Sequence, residues 1–338
     1  MRINLVVVTL LLASSVFADV YDGNVCRAMS HGAEFDMLFR IVDSDGSPVA
    51  DAKCSGWMYI ESAPEHGSRY LFRTDTNGYV RVGGRCGEWF SVVVRKEGYY
   101  RTMFEVKYPS RDEVSPIVDG KWQPYGVLRT IVLKKIKKPI EINRHSTLDL
   151  LKVPVYDKWI GFDFNRYSFV FPHGDGEQSD VQVCFTLVDT PELGYHAQMM
   201  LSFTNNPYAG AYLIKGDESS EFQSPYTADT NAFYQGHYVF SYDQDPNRPP
   251  KRNEIKDGEY FIFRTRTIVD HQGRLVSAHY GRLGGWEFVG PAGIRISKLV
   301  FNPTPNDTNL EDAETARKSR LAYKQQIEFE RRRKAQGK

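Results

Sequence analysis

From Phe35 to about Leu133, apolar residues alternate with polar ones or gather in short runs: MLFRIV, WMYI, RYLFRT, GYVRV, WFSVVV and TIVL. A period of two puts every second side chain on one face, so each run reads as a strand with a buried face. Gly, Asp, Asn and Pro bound the runs, and no helical period competes with them. Short strands with regular turn signals predict an antiparallel sandwich over residues 35–135. A second series of short, aromatic-rich runs, from VYDKWIGFDF to IRISKLVF, predicts another β-rich domain over 140–305, a sandwich or a jelly roll. No segment repeats at a fixed period, which argues against a propeller or solenoid.

Between the two series lies Lys134-Lys135-Ile136-Lys137-Lys138-Pro139, whose lysines favour exposure and whose proline discourages a helix. After Asn302-Pro303 the pattern changes. Thr308-x-x-Glu311 has the spacing of a capping box, and acidic residues then give way to Arg331–Lys334. This predicts a charged helix over 308–334. Its apolar positions, Leu310, Leu321, Ile327 and Phe329, make no continuous stripe, so a mostly solvated tail is expected. Its basic end suits an acidic surface such as a cell-envelope polymer or phospholipid headgroups. The fold class expected is all-β, two consecutive sandwiches followed by this helix.

The turns carry a resemblance. VDSDGSPVADAKC, then RTDTNGYVRV, then WFSVVVRKEGYY together resemble the carboxypeptidase regulatory-like domain, a transthyretin-like β-sandwich. Asp45-Gly46 supplies a turn, Pro48 opens a strand, Asn77-Gly78 has the composition of a type I′ hairpin, and Gly98-Tyr99 closes a strand against the core edge. The resemblance implies the fold of about a third of the chain and no function, because such domains are appended to many exported proteins. GFDF, PHGDGEQSDV, YFIFRTRTIVDHQGRLVSAHYGRL and FNPTPNDTNLE loosely resemble a family of exported bacterial proteins without an assigned activity.

The N-terminus agrees with export. MRIN carries one positive charge, LVVVTLLLASSVF is an apolar run of thirteen, and Val16-Phe17-Ala18 suits cleavage, so residues 1–18 read as a signal peptide. A retained anchor needs about 18 apolar residues. The product is expected to be periplasmic, surface-associated or secreted, with no transmembrane segment. Without Arg2 the chain carries 42 basic and 42 acidic residues, a balance that excludes the global field a nucleic-acid binder uses. Cys26, Cys54, Cys86 and Cys184 allow three disulfide connectivities. Cys54 with Cys86 is the favoured pair, both lying in the first domain; buried free thiols are the alternative.

Candidate chemistry is sparse. With Gly78 at position six of a calcium loop, Asp75 and Asn77 fit positions three and five, but Arg73 and Gly84 stand where oxygen ligands belong. Gly46 fails the same test. His31 and Glu34 have the H-x-x-E spacing of two metal ligands in metallocarboxypeptidases, with His145 as a nominal third. No peptide-binding context accompanies them, so no metal or cofactor is expected. There is no G-x-S-x-G elbow. Neither Gly83-Gly84 nor Gly284-Gly285 precedes a helix, as a nucleotide loop would. His173, His237, His271 and His279 read as structural histidines. The pairs Asp175/Glu177 and Asp243/Asp245 could serve glycoside chemistry only if held across a cleft. Aromatic residues are 13% of the chain, and YTADTNAFYQGHYVFSYDQD mixes rings with amides and carboxylates as a sugar-binding patch would. The expectation is a non-enzymatic binding or structural module of the bacterial envelope, for a polysaccharide or a protein partner. The alternative is an envelope hydrolase with its site in the second domain.

Overall fold

A computed structural model describes residues 23–60, 67–108, 117–145, 150–190, 194–203, 207–244, 249, 251–253, 258–288 and 293–336. The signal-peptide reading of residues 1–18 and Asp245 lie outside them. Strands dominate, and the chain divides into two compact units, Met1–Val94 with Met103–Val132, and Arg95–Thr102 with Leu133–Lys338. One division falls at Leu133, and residues 95–102, inside the first strand series, group with the second unit. No helix among the described residues is long and apolar enough to cross a membrane.

The first unit opens with a short helix, α1 (Gly23–His31). Strands follow at β1 (Ala33–Asp43), β2 (Lys53–Tyr59), β3 (Gly67–Arg73), β4 (Tyr79–Cys86), β5 (Trp89–Arg95), β6 (Thr102–Lys107), β7 (Ile117–Val118), β8 (Lys121–Trp122) and β9 (Val127–Leu133). One sheet has the order β4-β1-β8-β7, with β9 also on β1; the other runs β3-β2-β5-β6. Alternation does what it predicts. Phe35, Met37, Phe39 and Ile41 of β1 are buried; the Phe35 ring lies 4.3 Å from Phe90 and the Phe39 ring 5.4 Å from Phe104, both of the other sheet. This is a two-sheet sandwich.

Two expectations change here. Asn77-Gly78 is not a type I′ hairpin. Only Gly78 has positive φ, and the strands it joins, β3 and β4, belong to different sheets. The Asp75 carboxylate instead accepts the backbone N–H groups of Asn77 (2.9 Å) and Tyr79 (2.8 Å), closing an Asx turn. At Gly78 (φ +78) a Cβ would stand 2.4 Å from the Ile41 carbonyl oxygen. Gly78→Val should therefore cost the first unit more than the about 1–3 kcal/mol of backbone strain alone. Thermal denaturation reads that loss, and metal content should not change. The Cys54–Cys86 disulfide is also absent; both are buried free thiols. The Gly87 N–H bonds the Tyr59 carbonyl, at the far end of β2 from Cys54. Cys54 stands five residues, about 16 Å, along β2 from Tyr59, the residue that the neighbour of Cys86 bonds. Burial pushes the Cys86 thiol up to about 12, which keeps it unreactive.

The second unit is also a sandwich. Its strands are β10 (Asn143–His145), β11 (Trp159–Asp163), β12 (Ser168–Phe169), β13 (Val181–Thr190), β14 (Gly194–Ser202), β15 (Gly210–Lys215) and β16 (His237–Gln244). There follow β17 (Lys251–Asn253), β18 (Glu259–Val269), β19 (Leu275–Leu283), β20 (Gly285–Phe288), β21 (Ile294–Ser297), β22 (Leu299–Phe301) and the helix α2 (Ala313–Ala335). A six-stranded sheet, β12-β11-β13-β14-β16-β17, faces a five-stranded one, β10-β22-β19-β18-β15. Phe162, Val183, Met199 and Phe240 of the first meet Phe261, Phe263, Leu283 and Phe301 of the second. The other face of β18 and β19 is covered too, by Tyr234 and Leu310 around Tyr260, Ile262 and Tyr280. Burial on both faces explains the unbroken run YFIF.

The helix starts later than the capping box predicts. Residues 309–312 are extended, with Asn309 bridged to Thr227 and Asp312 to Ile140. Asp312 is the N-cap, accepting the Thr315 N–H at 2.8 Å. Glu311 is buried and accepts from the Tyr100 hydroxyl (3.0 Å) and the N–H groups of Lys137 (2.7 Å) and Lys138 (2.6 Å). Nor is α2 solvated all round. Thr315, Ala316, Ser319 and Gln326 are buried, a face made of small and polar residues that an apolar-stripe search passes over. The lysine run is likewise less exposed than predicted. The Lys134 ammonium donates to the carbonyls of Phe222, Gln223 and Ser224 at 3.0–3.2 Å, and burial lowers its pKa. Of Gly98-Tyr99-Tyr100, it is Tyr100 that packs fully, stacked 4.9 Å from Phe222.

Candidate functional site

Four stretches far apart in the chain meet in the second unit: GFDF, GEQSD, FRTRT and SAHYG. The antiparallel pairing of β11 with β13 sets Phe162 opposite Val181, which brings Asp163 beside Asp180. Both side chains are buried, at 2% and 0% exposure. Two neighbouring carboxylates repel unless a cation joins them. Arg266 joins them. Its Nε donates to Asp180 Oδ1 at 2.8 Å, and its Nη2 donates to Asp180 Oδ2 and Asp163 Oδ1, each at 3.0 Å.

A bulge makes this geometry. The pairing of β18 with β19 is irregular between Thr265 and Ile268, and Arg266 takes φ +49. Strict alternation would put Arg266 on the face of Arg264, which donates to the carbonyls of Tyr208 and Thr230. The bulge turns it toward the carboxylates instead. The guanidinium lies 4.6 Å from the centre of the Phe301 ring, on which His279 also stacks at 5.6 Å.

The carboxylates are fully engaged. Asp163 also accepts the backbone N–H groups of Asn165, Arg166, Glu177 and Gln178 at 2.8–3.2 Å. Asp180 also accepts the Phe164 N–H at 2.7 Å and the Thr265 hydroxyl at 3.1 Å. The Thr265 hydroxyl shares its one hydrogen between Asp180 Oδ1 and the Asp180 main-chain carbonyl (3.0 Å), and the other three carboxylate oxygens each accept at least two hydrogen bonds. Burial raises the Asp180 pKa, against the pull of Arg266. Burial alone would lower Arg266, but its two carboxylates outweigh that and hold it raised.

Above this network opens a pocket of about 310 Å³, lined by Arg266 with Gln178, Ser179, Thr267, Ser277 and His279. His279 lies 3.2 Å by its Nδ1 from the Asn302 carbonyl, which must accept from it. Its Nε2 is therefore an acceptor. Burial, then the nearby Arg266 charge, lowers the His279 pKa and keeps the ring neutral, though the Asn302 bond opposes them. The site presents hydroxyl, amide, imidazole and guanidinium groups, with Ile268 and Pro305 as its apolar rim.

No protein family matches the chain, and no curated protein does. Similar solved structures are 3-chlorocatechol 1,2-dioxygenase from Rhodococcus opacus 1CP (14% identity, 32% of this chain and 62% of that one, TM-score 0.25) and catechol 1,2-dioxygenase from Acinetobacter sp. ADP1 (15%, 32% and 56%, 0.25). Hydroxyquinol 1,2-dioxygenase from Pseudomonas putida DLL-E4 is a third (13%, 32% and 59%, 0.24). The chain spans less than two thirds of each of these structures. Likeness at this level bears on neither fold nor chemistry.

The residues expected from the sequence fall elsewhere, with one exception. His279 lines the pocket. His31 and Glu34 line an open cleft in the first unit with Arg27, Arg85 and Lys121. His145 is engaged in the second unit, with Nε2 3.1 Å from the Asn165 carbonyl and its ring stacked on Tyr167. Among the described residues, no three of His, Cys, Asp and Glu gather as a metal site. Glu177 pairs with Arg166, and Asp243 with His196 at 2.9 Å. Asp175 is exposed, its carboxyl held low by the Ser168 hydroxyl. The aromatic stretch is mostly core. Tyr234, Phe240 and Tyr242 are buried, Tyr226 and Tyr238 are half-buried with their hydroxyls on backbone carbonyls, and Phe233 alone of its rings is exposed.

Proposed function

We propose that the chain is an exported bacterial envelope protein whose second unit binds polysaccharide in the pocket around Arg266 and His279 without cleaving it. One observation carries this reading: the site is rich in hydrogen-bonding groups, yet both its carboxylates are engaged by a single guanidinium. Sugar hydroxyls donate and accept at once, and Ser277, Thr267, Gln178 and His279 Nε2 offer the complementary groups. Glycoside hydrolysis instead needs two carboxyl groups flanking the bond, one free to give a proton and the other to attack or activate water. Asp163 and Asp180 share one partner on one side, so neither is available. The first unit is read as an appended carboxypeptidase regulatory-like module.

The mature chain should be retained on one or more envelope glycans in affinity electrophoresis. His279→Ala and Ser277→Ala should each weaken retention about 2–10-fold, the value of one neutral hydrogen bond. Binding should hold steady down to pH 6.5 and weaken below it, where His279 protonates and Nε2 ceases to accept. Failure to bind any glycan or envelope extract sinks the reading. Release of reducing ends from a retained polysaccharide would replace it with hydrolysis.

A further inference from the structure

The six-stranded sheet of the second unit has an outer face that the sandwich core does not use. The core takes Val183, Phe185, Met199 and Phe240, so the residues alternating with them point the other way. Strand pairing sets those residues in rungs across the sheet. Trp159 stands opposite Cys184, Cys184 opposite Met200, and Met200 opposite Val239. Trp159 is 50% exposed and Val239 48%, with Cys184 buried in the same rung. The result is an apolar strip one side chain wide and about 15 Å long.

A polar rung flanks it on each side. Gly161, Gln182, Ser202 and His237 form one, and Thr186, Gln198 and Ser241 the other. None of these residues carries a carboxylate, an ammonium or a guanidinium, although 25% of the chain is charged. Charge starts at the β11 edge with Asp157, near Cys184, and one rung beyond, where Asp243 meets His196. The face also runs into the pocket around Arg266. Gln182 Nε2 donates to Ser179 Oγ at 3.0 Å, and Ser179 lines that pocket. Gly161 lies beside Ser179, where a Cβ would stand 2.8 Å from the serine Cβ. Without one, the surface stays low from Ser179 to Trp159, two residues away along β11.

An apolar strip between hydrogen-bonding rungs suits a sugar chain, whose rings offer C–H faces to an aromatic and hydroxyls to either side. A neutral face gives a charged polymer no counter-charge for the water it would shed. A second protein fits poorly, because the strip covers roughly 100 Å², against roughly 800 Å² per partner in a stable interface. Resting on the polysaccharide reading above, we propose that this outer face binds an uncharged polysaccharide chain continuing from the Arg266 pocket, with Trp159 stacked on one of its rings.

The test is affinity electrophoresis of the full chain through gels cast with envelope polysaccharide, separated on an anion exchanger into an uncharged and an acidic fraction. Retention by the uncharged fraction is expected. Trp159→Ala should weaken it about tenfold, the value of one aromatic contact. Trp159→Tyr, which keeps a ring, should recover most of the loss. Val239→Lys, at an exposed position, should also weaken retention while the thermal midpoint stays unchanged. Retention by the acidic fraction alone overturns the proposal and leaves the polysaccharide reading standing. So does retention that His279→Ala weakens but Trp159→Ala and Val239→Lys do not. The reverse pattern supports the face and removes the pocket. Retention by neither fraction sinks both. A dimer in sedimentation that Trp159→Ala dissociates, with retention unchanged, assigns the strip to a second copy of the chain and overturns the proposal.

Discussion

Asp312→Ala should destabilise the second unit by about 3–5 kcal/mol, because removing the carboxylate leaves two buried or half-buried guanidinium groups without their counter-charge. Asp312 is 1% exposed and accepts from Arg144, Arg282 and the Thr315 N–H. Asp312→Asn separates the roles. The amide still caps the helix, so it should recover about 1 kcal/mol of the loss and no more. Acid supplies an independent check. Burial alone would raise the Asp312 pKa, but Arg282, the Thr315 N–H and hydroxyl, and Arg144 outweigh it and hold it low. A folded pKa below the unfolded value of about 3.9 means that this stabilisation is complete above that pH. It is lost as pH falls through the folded pKa. Urea midpoints of the native chain should therefore fall more steeply below pH 4 than those of Asp312→Ala. Parallel acid profiles would show that Asp312 is not a linked group.

Arg266→Met should cost a comparable about 3–5 kcal/mol, now by stranding two carboxylates instead of two cations. The pH dependence has the opposite sign. The Asp180 pKa is already raised, and losing Arg266 raises it further. A group raised in the folded state contributes its stability below the unfolded pKa and loses it as pH rises through the folded one. The deficit of Arg266→Met should thus be largest at neutral pH and shrink toward pH 4, as Asp180 takes up a proton. Chemical denaturation at pH 7 and pH 4.5 reads the difference. A deficit independent of pH would mean that the loss is one of packing over Phe301 alone.

These two networks mark the limit of what the sequence reveals. The strands were legible because alternation is local: MLFRIV and WFSVVV announce their buried faces within six residues. The helix start was misread because Thr308 and Glu311 have the right spacing, while the long-range partners of Glu311, Tyr100 and Lys137, are invisible in a window of four residues. The site was missed for the same reason. Asp163 meets Arg266 across 103 residues, and nothing local says so. A signal did exist. An aspartate inside GFDF and an arginine after YFIF each interrupt an otherwise apolar run. A charge forced into a core must find its opposite there. Searching for such interruptions would have nominated Asp163, Arg264 and Arg266 together.

The tie between Tyr100 and Glu311 has a consequence for when the protein can fold. It spans 211 residues, and the same final stretch supplies Asp312 to Arg144 and Arg282. Loop closure over such distances comes before the contacts that reward it, so high contact order slows folding. A ribosome that has released residues up to about 305 has delivered both sheets but not the anion that settles their buried arginines. The second unit must wait for almost its whole length to emerge. A chain that stays open that long is available to whatever machinery handles unfolded polypeptide before the native state closes off the choice.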